Sequence, residues 1–246
     1  MRCIAVVNQK GGVGKTTTVV NVAAGLAERG RRVLVVDLDP QGSATRWLGI
    51  DGITDEPFRV LVDGEGVEVW ESSIQGVDVV PSSSHLGRAE RALLGEIGSE
   101  VRLRKRLGKL ITRYDYVLID CSPSLGLLTV NALATATEVL AVVEARVMAV
   151  HGLAALLSTV EQVREAINPA LGIGGILISR VDGRTRLSRE VEELIREEFG
   201  EQVYRTVIRE NVRLAEAPHV RQSILEYAPG SHGAKDYRVL VEEIDG

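Results

Sequence analysis

The chain has 246 residues, of which 45% are hydrophobic and 26% charged, so it is long and apolar enough to build a sizeable globular core. Its net charge of −5 argues against a uniformly basic nucleic-acid binder, and no uncharged apolar run reaches the roughly 18 residues of a membrane span. The N-terminus lacks the long apolar core of a secretory signal, so we expect a cytoplasmic protein with no membrane partner.

Short apolar runs alternate with helical patterns along the chain. The runs are mostly continuous, as in strands that are buried on both faces of a parallel sheet. They cover residues 3–7, 33–37, 77–80, 116–120, 139–143, 173–179 and 203–208. This βαβα order predicts an α/β fold with a doubly wound, mostly parallel sheet of about seven or eight strands, in one domain over residues 1–246.

Three segments outside these runs have patterns of their own. Apolar residues on one helical face predict a helix over 153–167, which ends before Asn168-Pro169. The stretch 49–76 is rich in Gly, Asp and Glu, and we interpret it as a surface excursion with one short helix. Residues 234–245 predict a last helix on the sheet.

The stretch 8-NQKGGVGKTTT-18 connects the first strand to a helical pattern that starts at Lys15. The strict phosphate-loop pattern G-x-x-x-x-G-K-[ST] requires glycine at position 9, but this chain has Gln9, followed by a second lysine, Lys10. The strand–loop–helix context still predicts the phosphate loop of a P-loop NTPase, because backbone N–H groups and the helix dipole converge there. The expected nucleotide-binding residues are Gly11, Gly12, Val13, Gly14, Lys15, Thr16 and Thr17.

Side chains near the loop predict a magnesium site. Lys15 should reach the β- and γ-phosphates, and the Thr16 hydroxyl should bind Mg²⁺. Asp120 follows four apolar residues, the Walker B pattern of a carboxylate that holds Mg²⁺ or its waters. Asp37 and Asp39 lie at the end of another strand, where ligands bind in such sheets. We expect Asp39 to lie at the metal and to orient the attacking water.

Four stretches in order, KGGVGKTT, DLDPQGSAT, YDYVLIDCSPSLGLLTVNAL and NVRLAEAP, resemble the ParA/Soj family of DNA-segregation ATPases, deviant Walker A proteins related to MinD. The resemblance covers essentially the full chain. It implies slow, Mg²⁺-dependent hydrolysis of ATP to ADP, with Lys10, Lys15 and Asp39 as catalytic residues. In the family, the lysine that matches Lys10 crosses an ATP-sandwich homodimer and touches the other subunit's phosphates. Gly11 must be small to let that subunit approach.

The same resemblance implies that the ATP dimer binds non-specific double-stranded DNA on the nucleoid. A ParB/Spo0J-type partner then stimulates hydrolysis and releases the dimer. Family motifs place DNA contacts at Arg184 and Arg213. Weaker neighbouring positions are Arg186, Arg189, Arg205 and Arg221. We interpret the basic run 101–113 as the solvated face of a helix whose apolar residues point inward.

This chain departs from the family pattern at two places near the nucleotide. Glu144 and Arg146 stand where the family often has Gln and Glu, and Arg209-Glu210 stands where it often has Pro-Arg. The second departure lies near the adenine site. The resemblance implies adenine contacts from Arg180, Arg209 and Asn211.

Other functions on the same fold make different demands. A MinD-like membrane ATPase needs a basic amphipathic C-terminal helix, but this chain ends in 239-VLVEEIDG-246. A cluster-bearing reductase needs two interface cysteines, which Cys3 and Cys121 do not supply, so we interpret both as small apolar strand residues. A nucleotide-dependent metabolic enzyme, or a deviant Walker A ATPase with a non-DNA cargo, stays open. The first strand begins at once, so we expect the short form without a helix-turn-helix domain.

Overall fold

The computed structural model describes residues 1–146 and 148–246. Within them, eight strands form one sheet in the order β3-β4-β2-β5-β1-β6-β7-β8. The strands are β1 (Arg2–Val7), β2 (Val33–Asp37), β3 (Trp70–Glu71), β4 (Val77–Val80), β5 (Tyr116–Asp120), β6 (Glu138–Glu144), β7 (Gly172–Val181) and β8 (Val203–Arg209). Only β3 is antiparallel to its described neighbour, so the predicted mostly parallel sheet is confirmed.

Helices cover both faces of this sheet, with several short helices in the connections. They are α1 (Lys15–Glu28), α2 (Ser43–Trp47), α3 (Glu56–Leu61), α4 (Gly87–Ala92), α5 (Arg102–Leu107), α6 (Leu127–Thr135), α7 (Ala149–Ala166), α8 (Arg186–Phe199), α9 (Val212–Glu216), α10 (Ile224–Tyr227) and α11 (His232–Asp245). None of the described helices is both long and apolar enough to cross a bilayer.

Side chains of the central strand β1 alternate between two separate cores. Ala5 points into a core that α6 and α7 close, whereas Ile4 and Val6 point into a core that α1 and α11 close. All three residues are at most 3% exposed. A strand buried on both faces explains the continuous apolar run, and the doubly wound prediction is confirmed.

The predicted helices agree with the structure apart from small shifts at their ends. The helix expected over 153–167 is α7, which begins four residues earlier, at Ala149. The last helix, α11, begins at His232 because the Ser231 hydroxyl accepts a hydrogen bond from the backbone N–H of Ala234. The surface excursion 49–76 contains α3 and also β3, a two-residue strand too short for a periodic signal.

The basic run 101–113 forms α5 and a short 3-10 turn. Leu103 and Leu107 are buried against α6, while Arg104, Lys105 and Lys109 are exposed. This arrangement agrees with the prediction of a solvated helical face.

Candidate active site

The phosphate loop connects β1 to α1 at the carboxyl edge of the sheet. Gly12 and Gly14 have φ angles of +76° and +95°, a backbone conformation that favours glycine. Gly14 precedes α1, so the unpaired N–H groups of the first turn lie beside the loop. The Lys15 side chain folds back over the loop, and its Nζ donates to the carbonyl oxygen of Lys10 at 3.2 Å. Burial lowers the pKa of Lys15, although Asp120 opposes this effect.

The side chains of Ser179 and Asn8 hold the loop to the neighbouring strands. The Ser179 hydroxyl, on β7, donates to the carbonyl oxygen of Val13 at 2.6 Å. The Asn8 side chain donates to Val142 on β6 at 2.6 Å and accepts from the backbone N–H of Lys10 at 2.8 Å. These contacts position the loop backbone, and the sequence patterns did not identify either anchor.

The residues predicted for magnesium, Thr16 and Asp120, lie in contact. The Thr16 hydroxyl donates to Asp120 Oδ2 at 2.7 Å. The second oxygen, Asp120 Oδ1, is buried and has no hydrogen-bond partner among the described residues. Burial, with Asp37 nearby, raises the pKa of Asp120 well above its usual range. A bound cation would give the unpaired Asp120 oxygen a partner and would stabilise the ionised carboxylate.

These residues fit a magnesium ion that takes few ligands from the protein. The described residues contain no cluster of three or more His, Cys, Asp or Glu side chains that could form a complete metal cage. Mg²⁺ usually binds through one or two protein oxygens and completes its shell with phosphates and water. One hydroxyl and one carboxylate beside a phosphate loop match that requirement.

Asp37 and Asp39 have different surroundings although one residue separates them. Asp37 is 1% exposed, and its carboxylate accepts the backbone N–H and the hydroxyl of Thr45 at 2.8 and 2.7 Å, and the N–H of Asp39 at 3.0 Å. Burial raises its pKa to about 6. Among the described residues, the Asp39 carboxylate accepts one hydrogen bond, from the N–H of Gln41 at 2.9 Å, and it lines a cavity of about 750 Å³ together with Lys15. Asp37 thus organises the segment after β2, and Asp39 faces the cavity beside the phosphate loop.

Lys10 lies at the mouth of the site and is paired within its own chain. Its Nζ lies 2.8 Å from Oε2 of Glu144, at the end of β6. Glu144 also contacts Arg146 at 2.8 Å and Arg180 at 3.6 Å. Burial alone would raise the pKa of Glu144, but Lys10 and the two arginines outweigh it and lower the pKa. Sequence comparison noted Glu144 only as a departure from the family.

The three residues predicted at adenine line one cavity of about 900 Å³, on the other side of the loop. Arg180 donates from Nη1 to the carbonyl oxygen of Gly12 at 3.1 Å. Arg209 is held by the carboxylate of Asp236, which also accepts the Arg209 backbone N–H at 3.0 Å. Asn211 caps α9. The Arg209 guanidinium is therefore neutralised by Asp236, and adenine contacts from the three residues stay a prediction.

The arginines predicted for DNA, Arg184, Arg186, Arg189 and Arg213, are all exposed. Arg184 is 87% exposed and pairs with Asp182 at 2.9 Å, and Arg186 is 91% exposed and pairs with Glu190 at 2.6 Å. Arg213 pairs with Glu216 at 2.8 Å. Arg189 is exposed, and no carboxylate among the described residues pairs with it. Most of this positive charge is thus locally compensated in the isolated chain.

The described geometry is that of a P-loop ATPase: a glycine-rich loop, a buried lysine, a hydroxyl–carboxylate pair for magnesium and a second aspartate beside the cavity. A family model described as an AAA domain matches residues 1–173. The chain belongs to the ParA/Soj family of partitioning ATPases, as its relatives demonstrate.

Two relatives carry this assignment. The chain is 47% identical to a chromosome-partitioning ATPase Soj of Thermus thermophilus, over 99% of this chain and 95% of the relative. It is 44% identical to the sporulation initiation inhibitor protein Soj of Bacillus subtilis, over 99% of this chain and 98% of that protein. The predicted family, fold class and ATPase activity are confirmed.

A solved structure has the same fold with ligands in place. A Mycobacterium smegmatis protein, described as cobyrinic acid a,c-diamide synthase with bound ADP and magnesium, superposes with a TM-score of 0.84 at 35% identity. The match covers 98% of this chain and 93% of that one. The predicted cofactors agree with the ligands of that protein.

Proposed function

We propose that this chain is a partitioning ATPase whose ATP–Mg²⁺ complex forms a sandwich dimer on DNA. Lys15 and the loop N–H groups bind the phosphates, Thr16 and Asp120 hold the ion, and Asp39 orients the water. Residues 1–246 act as one unit in the cytoplasm, associated with the nucleoid. A ParB-type partner stimulates hydrolysis and releases the dimer. The Thermus thermophilus relative is named a chromosome-partitioning ATPase, which supports chromosomal DNA as the cargo.

The environment of Gly11 is the observation that best supports the proposed dimer. Unlike Gly12 and Gly14, Gly11 does not have a positive φ angle. A Cβ built at Gly11 would meet no atom within 4 Å, so the packing of the isolated chain does not require glycine there. The requirement for a small residue that the family resemblance implies here therefore does not come from packing within the chain. A second subunit that approaches the nucleotide supplies that requirement.

We expect Gly11→Val to bind ATP with near wild-type affinity but to stay monomeric, because valine fits the isolated chain and obstructs only the facing subunit. Light scattering with ATP and Mg²⁺ measures the dimer, and a fluorescent ATP analogue measures binding. Gly14→Val is the matched control: its φ of +95° strains any side chain, so it should lose nucleotide binding as well. A Gly11→Val protein that dimerises normally would contradict the sandwich arrangement.

DNA binding is attributed to the exposed arginines around the loop between β7 and α8. One dimer presents each arginine twice, so weak phosphate contacts add up only when two subunits associate. This arrangement links DNA affinity to the nucleotide state. The ion pairs of Arg184 and Arg213 with neighbouring carboxylates are surface pairs of small energy, so phosphates can replace them.

We expect Arg184→Glu to weaken DNA binding of the ATP dimer by about tenfold or more while leaving dimerisation intact, because each dimer loses two phosphate contacts. Co-sedimentation with random-sequence DNA at two salt concentrations measures the effect. Arg164→Glu controls for the change in net charge, because Arg164 on α7 is also an arginine paired with a carboxylate, that of Glu161. If Arg184→Glu still binds DNA fully, the basic run 101–113 becomes the surface to test.

A further inference from the structure

The cis contact of Lys10 follows from the strand register. β1 and β6 are parallel neighbours in which Val7 lies opposite Ala141. Lys10 lies three residues after Val7, in the loop that follows β1, and Glu144 lies three residues after Ala141, at the end of β6. Their side chains contact each other at 2.8 Å. The Lys10 side chain is 57% exposed, whereas that of Glu144 is 7% exposed. An exposed cation therefore contacts a largely buried carboxylate.

Two further cations make Glu144 independent of Lys10. Arg146 Nε lies 2.8 Å from Oε1, and Arg180 Nε lies 3.6 Å from the same oxygen. Lys10 instead lies 2.8 Å from the other carboxylate oxygen, Oε2. If Lys10 leaves, the buried carboxylate keeps two compensating charges, which avoids the large penalty of an unpaired buried ion.

The backbone conformation of Arg180 indicates that the cluster of charges around Glu144 is an ordered feature of the fold. Arg180 has φ +52°, a left-handed conformation that costs energy for a residue other than glycine. In this conformation its guanidinium contacts both Glu144 and the carbonyl oxygen of Gly12 in the phosphate loop. The carboxylate, two arginines and the loop thus form one connected unit around the resting position of Lys10.

We propose that Glu144 is a cis counter-ion that holds Lys10 in the monomer, and that dimerisation transfers Lys10 from Glu144 to the phosphates of the second subunit. This inference rests on the proposed sandwich dimer and adds a positioning residue to it. Glu144 sets a threshold: phosphates in the facing subunit must compete with it for the lysine. Arg146 makes dimerisation easier, because it compensates the negative charge of Glu144 after Lys10 leaves.

The transfer predicts opposite effects of two neutralising substitutions. With a saturating non-hydrolysable ATP analogue and Mg²⁺, Glu144→Gln should tighten the dimer by about fivefold, since each dimer releases two lysines from weak ion pairs. Arg146→Gln should weaken the dimer, because Glu144 then depends more on Lys10. Analytical ultracentrifugation gives both dissociation constants, and saturation removes any change in nucleotide affinity. Glu161→Gln, on the exposed face of α7, is the charge-matched control.

A second readout tests the cis contact without a dimer. In nucleotide-free protein, the Lys10 amine should be acetylated about twofold faster or more in Glu144→Gln than in wild type, as the ion pair no longer protects it. Mass spectrometry measures the rate, with exposed Lys109 as internal reference. Unchanged Lys10 labelling, or a dimer that Glu144→Gln leaves unaltered or weakens, would overturn the proposal. A wild-type protein that stays monomeric with the analogue would instead refute the proposed dimer.

Discussion

Replacement of Lys15 by alanine is expected to lower ATP affinity by about 100-fold or more, because a largely buried ammonium contributes far more to a phosphate contact than an exposed one. Lys15 is 6% exposed and has no carboxylate ion pair among the described residues. Burial already lowers its pKa, so its charge is costly in the empty site and is compensated when phosphate binds. Isothermal titration with ATP and Mg²⁺ measures the loss.

The control for Lys15 is a lysine outside the site. Lys109 lies in the turn after α5, is exposed and lines neither cavity beside the loop. Lys109→Ala should bind ATP like wild type. Thermal denaturation of nucleotide-free Lys15→Ala checks that the fold survives. Near wild-type ATP affinity in a folded Lys15→Ala protein would refute the phosphate-loop assignment.

Replacement of Asp39 by alanine is expected to slow ATP hydrolysis by about 100-fold and to leave an ATP-bound dimer that persists on DNA, because the attacking water loses its orienting carboxylate. Asp39 accepts one exposed backbone N–H, so its removal should cost little stability. Phosphate release measures turnover, and sedimentation measures the trapped dimer. Normal turnover in Asp39→Ala would remove this residue from the mechanism.

The neighbouring aspartate provides the sharpest control for that experiment. Asp37→Ala would leave the buried N–H and hydroxyl of Thr45 without their acceptor. We expect it to destabilise the protein by roughly 2–4 kcal/mol, the cost of a broken buried network. The two substitutions should therefore have different effects: Asp39→Ala slows hydrolysis at normal stability, whereas Asp37→Ala destabilises the fold. Equal losses of stability would indicate that Asp39 is structural as well.

Local pattern was sufficient for most of the fold because strand and helix periods are written in neighbouring residues. The buried strands appear as apolar runs, and the loop appears as glycines and a lysine between a strand and a helix. The two-residue strand β3 escaped prediction, since no period is visible over that length. The start of α11 shifted by two residues because the capping contact of Ser231, which has no periodic signal, decides it.

The sequence by itself determined the parallel α/β class, the phosphate loop and the family, and it predicted Thr16 and Asp120 as magnesium ligands. All of these rest on local patterns in the chain or on residues at the ends of adjacent strands. The tertiary structure alone decided which distant charges meet. Lys10 and Glu144 are 134 residues apart, and only the pairing of β1 with β6 brings them together. It also separated buried Asp37 from partly exposed Asp39, because burial and hydrogen-bond partners, not residue type, set what each carboxylate does.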